Sequence, residues 1–298
     1  MSPDNEFDTF INQNLSHLLP QRKEDGGRIL YHYTSIDALS AMTSKDADLL
    51  CTYCATMNDK AEFSTGLNVL EKYISKYPSA VESIQMGAIR EIAFQPQYAP
   101  WSLSFSTEGD SLNQWISYTD RSEGGVAIGF DIERLYNSIS QEKTGASIMF
   151  LAPCLYEKTH EKEIGEMFSF LFGSYKENLV TLGYESNRWA TIRKAKGFVS
   201  LLVSLMFASI VKDESFRLEH EWRLVLHPVD AEQTRNYIYV NGKPRLPSKL
   251  FGRDFCLADS IKRIVCSPHG RSLDKARVIA SLRQLSVLPE SSKSTYVA

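Results

Sequence analysis

Three short stretches carry side chains able to do chemistry at alternating positions. In a strand successive side chains point to opposite faces. In RILYHYTS, residues 28–35, His32 and Thr34 therefore share a face with Leu30, opposite Ile29, Tyr31 and Tyr33. In WSLSFS, residues 101–106, Ser102, Ser104 and Ser106 lie opposite Trp101, Leu103 and Phe105. In LEHEWRLVLHP, residues 218–228, an extended conformation from the start places Glu219, Glu221 and Arg223 together, opposite His220, Trp222 and Leu224. If the sheet brings the three polar faces together, they line one cleft with few polar groups against an apolar wall, the usual make-up of a binding site. The same alternation also describes a half-exposed antiparallel sheet whose polar faces are solvated.

The elements that must position these groups are legible in the hydrophobic periodicity. Phe7, Phe10, Ile11, Leu15, Leu18 and Leu19 recur at helical spacing, so residues 5–19 read as a helix followed by the polar turn PQRKEDGG. RILYHYTS is the first core strand, Ser35 and Asp37 can cap a short helix, and LLCTYCA is a second strand. MNDKAE opens a helix with Phe63, Leu67, Leu70 and Ile74 on one face, and Asn58 and Asp59 suit its cap. A further helix is expected over about residues 79–94. PWSLSFST, GGVAIGFD and SIMFLAPCLYE are strands, with SLNQWISYTD a short helix between the first two. Residues 158–212 read as a helical insert containing FSFLF and FVSLLVSLMFASIV. Strands return in EWRLVLHP, NYIYV and SIKRIVCSP before a last helix from Leu273 to about Leu285. The expected architecture is α+β: a central mixed, largely antiparallel sheet with surrounding helices. The expected organisation is a helical extension over 1–27, one domain over 28–288 and a tail over 289–298.

Composition narrows the function classes. A chain of 298 residues, 43% hydrophobic, can bury a large core. Its net charge of −3 is spread without a basic stripe, so an extended nucleic-acid footprint is not expected. No segment reaches the roughly 18 apolar residues of a membrane helix, and a cytoplasmic location is expected. Five cysteines fit reduced thiols, and Cys51 and Cys54 sit in a strand-like stretch with nothing to complete a zinc site. The histidines show no metal spacing, and Gly124, Gly125 and Gly129 form no dinucleotide fingerprint. Trp115 falls with Leu112 and Ile116 at helical spacing, which suits core packing. Gln114 and Tyr118 fall on another face, which makes Tyr118 the better stacking ring.

The strings LYHYTS, MNDKAEF, SFSTEGDSLNQWISYTDRSEGGVAIGFD, Phe216 with EHEWRLV, and IKRIVCSP occur in that order across residues 28–270. Together they resemble a bacterial family catalogued as domain of unknown function 2971. Gln114 stands where that pattern has a hydrophobic residue, and Thr119 where it mostly has alanine.

A first-strand histidine with a neighbouring Thr, a serine-rich strand and a glutamate on a later strand is also similar to the ADP-ribosyltransferase arrangement, which implies a split sheet. By that resemblance His32 and Thr34 would grip NAD, Tyr118 or Trp115 would wall the nicotinamide, and Glu221 or Glu219 would be the catalytic carboxylate. Tyr33, Ser104, Ser106 and Arg223 complete the implied cofactor-binding set. The implied reaction cleaves the nicotinamide–ribose bond and transfers ADP-ribose to an acceptor, with a macromolecule as one candidate and no metal. A carboxylate against the developing cation stabilises it best in a water-poor site and can take a proton from the nucleophile. A toxin or phage-defence setting goes with the family. Three alternatives remain open from the residues: an ion pair of Glu219 with Arg217 or Arg223, an NAD glycohydrolase using the same pocket, and a non-enzymatic nucleotide-binding sensor.

Overall fold

The structure is a computed structural model and describes residues 13, 28–45, 47, 49–57, 60–76, 90–91, 93–96, 98–120, 122–135, 147–172, 196–228, 237–240, 242–248 and 256–294. The expected helices over 5–19 and 79–94 lie almost wholly outside these residues, as do Asn58 and Asp59.

β1 (Ile29–Thr34) leads into α1 (Ile36–Met42), whose first turn is capped by the Ser35 hydroxyl accepting from the Ala38 N–H at 3.2 Å. β2 (Leu49–Tyr53) ends in a single 3₁₀ turn at Cys54–Thr56, ahead of α2 (Lys60–Ile74). Then follow β3 (Trp101–Ser106), α3 (Leu112–Tyr118), β4 (Val126–Asp131), β5 (Ser147–Pro153) and β6 (Leu155–Tyr156). The helical insert contributes α4 (Glu161–Phe172) and α5 (Lys196–Ala208), and β7 (Val211–Lys212) closes it. A 3₁₀ turn at Glu214–Glu219 leads into β8 (Glu221–Pro228), followed by β9 (Ile238–Val240) and β10 (Lys243–Ser248). β11 (Ile261–Cys266), α6 (Ser272–Leu282) and β12 (Glu290–Ser291) complete the described elements.

The strands form a mixed, mostly antiparallel sheet in the order β12-β11-β4-β1-β3-β2-β10-β9, with β8 joined to β3 and β5 to β8. β8 pairs along the whole of β3, from Trp101 opposite Leu226 to Ser106 opposite Glu221. One edge of β3 is thereby filled, so β1 and β2 must share the other. β1 meets it with Tyr31 opposite Ser106, and β2 with Thr52 opposite Ser102 and Tyr53 opposite Trp101. Between these two contacts the sheet is split, and Ser104 has no partner in register on that edge.

Register fixes two faces. One carries Leu30, His32, Trp101, Leu103, Phe105, Ile128, Trp222 and Leu224, and its apolar members pack with Leu39 and Met42 of α1 and Ala276 of α6. The other carries Tyr31, the three serines, Glu221, Arg223 and Val225. On its β5–β8 side this second face is covered by Phe63, Leu67 and Leu70 of α2, Met167 and Phe168 of α4, and Met206 and Phe207 of α5. On the β1–β4 side it is covered by Trp115 of α3 against Tyr31 and Tyr33. Helices on both faces make every central strand a buried one, which is why the expected solvated faces do not occur there.

Close backbone approach explains Gly66. A Cβ there would lie 1.8 Å from the Ala208 carbonyl oxygen, so only glycine lets α2 cross the end of α5 at this distance.

Several expectations are corrected. Among Leu112, Trp115 and Ile116, only Trp115 is buried; the other two are 37% and 41% exposed, and Gln114 is the second buried residue of α3. β10, not expected from GKPRLPS because prolines at 244 and 247 disguise it, pairs with both β2 and β9. Within the expected tail, Glu290 and Ser291 pair in parallel with Val265 and Cys266 of β11. The strand runs over EWRLVLHP as expected, and the earlier extension that would align Glu219 with Glu221 does not occur, because Glu219 closes a 3₁₀ turn and His220 has a left-handed backbone, φ 46°. All five cysteines are free thiols, four of them buried.

Candidate functional site

His32 and Ser104 meet at the split. The imidazole Nδ1 lies 2.9 Å from the Ser104 carbonyl oxygen, at the position of β3 that neither β1 nor β2 reaches. A carbonyl can only accept, so Nδ1 carries the proton. Burial lowers the imidazole's proton affinity; the Ser104 carbonyl opposes this and the Arg245 charge adds to it. A neutral ring protonated at Nδ1 presents Nε2 as an acceptor, and among the described residues Nε2 has no hydrogen-bond partner. The ring is steadied by an edge-on contact with Phe105, centroids 6.0 Å apart.

On the far side of the split, Arg245 of β10 stands opposite Thr52 of β2 and donates to its hydroxyl. The pairing of Thr52 with Ser102 puts Arg245, Thr52 and Ser104 on one face, with His32 reaching into the gap from β1. Half-burial lowers the guanidinium's proton affinity, with the Cys51 thiol opposing. Lys243, two residues earlier on the same face of β10, is lowered by burial and by Arg245.

Glu221 is elsewhere. Tyr31 opposite Ser106 and Ser106 opposite Glu221 place the carboxylate on the face away from His32, which corrects the expectation of a single cleft holding both. Glu221 is 5% exposed and fully engaged. Lys212 Nζ lies 2.5 Å from its Oε2, Arg223 Nε 2.8 Å from its Oε1 and Arg223 Nη2 3.1 Å from its Oε2. Its backbone N–H donates to the Tyr156 hydroxyl at 3.1 Å. Burial alone would raise this carboxyl, but Arg223 and Lys212 outweigh it and hold it down at about 2. Lys212 also bonds Glu219 Oε2 at 2.6 Å and sits 4.7 Å from the centre of the Phe216 ring, so the cation paired with Glu219 is Lys212 rather than Arg217 or Arg223. Arg223 caps the end of α5 by donating to the Ser209 carbonyl. Two carboxylates and two cations thus neutralise one another in the interior.

The remaining expected residues serve the frame. Tyr33 packs edge-on against Trp115 at 4.7 Å; its hydroxyl donates to the Glu108 carbonyl at 2.8 Å and accepts from the Ser111 N–H at 2.9 Å. Ser106 donates to the Glu219 carbonyl at 2.8 Å, and Gln114 Nε2 donates to the same oxygen at 3.2 Å. Trp115 is sealed, with Nε1 donating to Asp110 Oδ1 at 2.8 Å. Tyr118 is partly buried against the cluster of Tyr31, Tyr33 and Trp115. Thr34 ends β1, opposite Val126. The structure therefore joins His32 to the Ser104 carbonyl, while the Ser104 side chain lies with Ser106, Glu221 and Arg223 on the face away from the imidazole.

Sequence reasoning missed Lys212 and Arg245. Lys212 is a single charge ending the apolar run FVSLLVSLMFASIV, and a cation there signals a buried partner. Arg245 alternates with Lys243 across a proline, a strand signal hidden by its breaker.

What the geometry defines is a mixed α+β protein with a central, mostly antiparallel sheet and helices on both faces. Residues 114–224, which contain most of α3, the buried charge cluster and the first half of β8, match the family described as "Protein of unknown function (DUF2971)". Comparison with curated proteins gives no match, and neither does comparison with solved structures. Among the described residues no helix is long and apolar enough to cross a membrane, and no group of three or more His, Cys, Asp or Glu could hold a metal ion.

Proposed function

We propose that the protein is a nucleotide-binding sensor module that takes NAD or a related nucleotide at the split between β1 and β2. The observation that carries this reading is the His32–Ser104 bond: it fixes a neutral imidazole at an open strand edge and leaves Nε2 as an acceptor for a ribose hydroxyl or an amide N–H. The preorganised ring needs no rearrangement to bind.

ADP-ribosyl transfer, the reaction implied by resemblance, asks more of the site. It requires a carboxylate facing the developing cation beside the bound nucleotide. Glu221 is on the other face and already neutralised by two cations, and Glu219 is bonded to Lys212. The binding reading needs neither.

Thermal melting of the full chain with millimolar NAD, ADP-ribose and nicotinamide tests the proposal, because a ligand that binds only the folded state raises the melting temperature by mass action. A rise with NAD or ADP-ribose that is lost in His32→Ala is expected. No rise with either nucleotide in the wild-type protein overturns the reading. Nicotinamide release that disappears in a folded Glu221→Gln variant would restore the transferase in its place.

A further inference from the structure

Arg245 is a half-buried cation with no neutralising carboxylate among the described residues. Among the described residues it has no carboxylate within ion-pair distance, and its hydrogen bond runs to the Thr52 hydroxyl. Four other half-buried or buried cations contrast with it: Arg223 and Lys212 each hold Glu221, Arg90 holds Glu71 at 2.8 Å and Arg263 holds Glu290 at 2.5 Å. A cation withdrawn from water without a counter-charge costs free energy unless something else supplies the charge.

We propose that Arg245, fixed by Thr52, is an anion subsite that receives a phosphate or pyrophosphate group of a ligand bound at the split of the sheet. This rests on the nucleotide reading given above and specifies which end of the ligand lies where: the ribose hydroxyl toward His32 on β1, the phosphate toward β10.

Three features of the placement support it. The Thr52–Arg245 and Thr52–Ser102 registers put the guanidinium on the serine-bearing face, at the margin of the gap that His32 enters from the opposite face to reach the Ser104 carbonyl, and its charge acts on the imidazole. The bond from Nη1 to Thr52 holds one side of the planar group and leaves its other donors, a geometry matched to two oxygens of a phosphate. Among the described residues the sheet margin beside it is exposed: Ile238, the residue opposite Arg245 on β9, is 44% exposed. Lys243 on the same face adds to the positive field. That field also disfavours a proton on His32, keeping the acceptor neutral while the phosphate is bound elsewhere.

The test is calorimetric titration of the full chain with ADP, adenosine and inorganic pyrophosphate, for the wild type and for Arg245→Gln and Arg245→Lys. A charge-assisted, forked contact predicts that Arg245→Gln weakens ADP and pyrophosphate by roughly ten- to a hundredfold while leaving adenosine unchanged. Arg245→Lys, which keeps the charge and loses the fork, falls between. Wild-type affinity for ADP in a folded Arg245→Gln overturns the subsite. So does equal affinity of the wild type for ADP and adenosine, a result that needs no variant to fold. Arg245-dependent binding of pyrophosphate without binding of ADP, adenosine or NAD upholds the subsite and removes the nucleotide reading instead.

Discussion

Lys212 Nζ and Glu221 Oε2 lie 2.5 Å apart in the interior, between a two-residue strand that ends the helical insert and the first residue of β8. The pair joins the insert to the central sheet. Arg223 extends the link to the carbonyl of Ser209 at the end of α5, and Glu219 completes the neutralisation. Charges so buried are stable together and costly apart.

Lys212→Met removes a cation that two carboxylates share. The expected loss is about 3–5 kcal/mol, the usual result of stripping one partner from a buried pair. Urea unfolding measures it. Adding Glu219→Gln to Lys212→Met should restore part of the loss by removing one uncompensated charge. A Lys212→Met protein as stable as the wild type would show that the cluster does not hold the insert.

Stability should fall in two steps as the pH is lowered. His227 Nε2 donates to the Tyr98 carbonyl at 3.0 Å, and burial pushes the imidazole from 6.5 to about 4, with that carbonyl partly opposing. The unfolded chain takes up this proton first, so the contribution is full above pH 6.5 and disappears between there and about 4. Its size is on the order of 3 kcal/mol. The depressed Glu221 carboxyl acts below that, its contribution present above 4.5 and lost as the pH falls toward 2. Denaturation midpoints across this range should show both windows, and His227→Gln should flatten the upper one alone.

Gly66→Ala should destabilise the protein by about 1–3 kcal/mol, the usual cost of overpacking, through collision with the Ala208 carbonyl oxygen. The obstacle is backbone, so no side-chain rotation relieves it. A melting temperature equal to that of the wild type would mean that α2 and α5 can separate without cost.

Glu221→Gln and His32→Ala should separate folding from binding. The first changes the buried cluster on one face, the second the acceptor in the gap of the sheet. Well-separated sites behave independently. Glu221→Gln should therefore lower the denaturant midpoint and leave NAD affinity within about twofold, whereas His32→Ala should weaken NAD with a smaller change in stability. A folded Glu221→Gln that binds NAD more than tenfold worse would place the carboxylate in the site.

Alternation along single strands was readable from residue order, because the side-chain period of two is a property of the backbone itself. Trp101, Leu103 and Phe105 do share a face, as do Leu30 and His32. The Ser35 cap and the burial of Trp115 were also local facts, each set by a few neighbouring residues. Alternation does not say which face of one strand adjoins which face of the next. That is fixed by register, and a slip of one residue reverses it. Tyr31 opposite Ser106 is the pairing that sends His32 and Glu221 to opposite sides.

The sequence by itself determined the α+β class, the order of most strands and the thiol state of the cysteines. Only the tertiary structure decided that β1 and β2 divide one edge of β3, that Lys212 crosses from the insert to neutralise Glu221, and that Arg245 bonds the Thr52 hydroxyl. The strand pairings and the Arg245–Thr52 bond join residues far apart in the chain, whereas Lys212 and Glu221 are near in sequence but are brought together by the turn between β7 and β8. Their geometry depends on how strands pair and helices cover them, which no local pattern of residue types encodes.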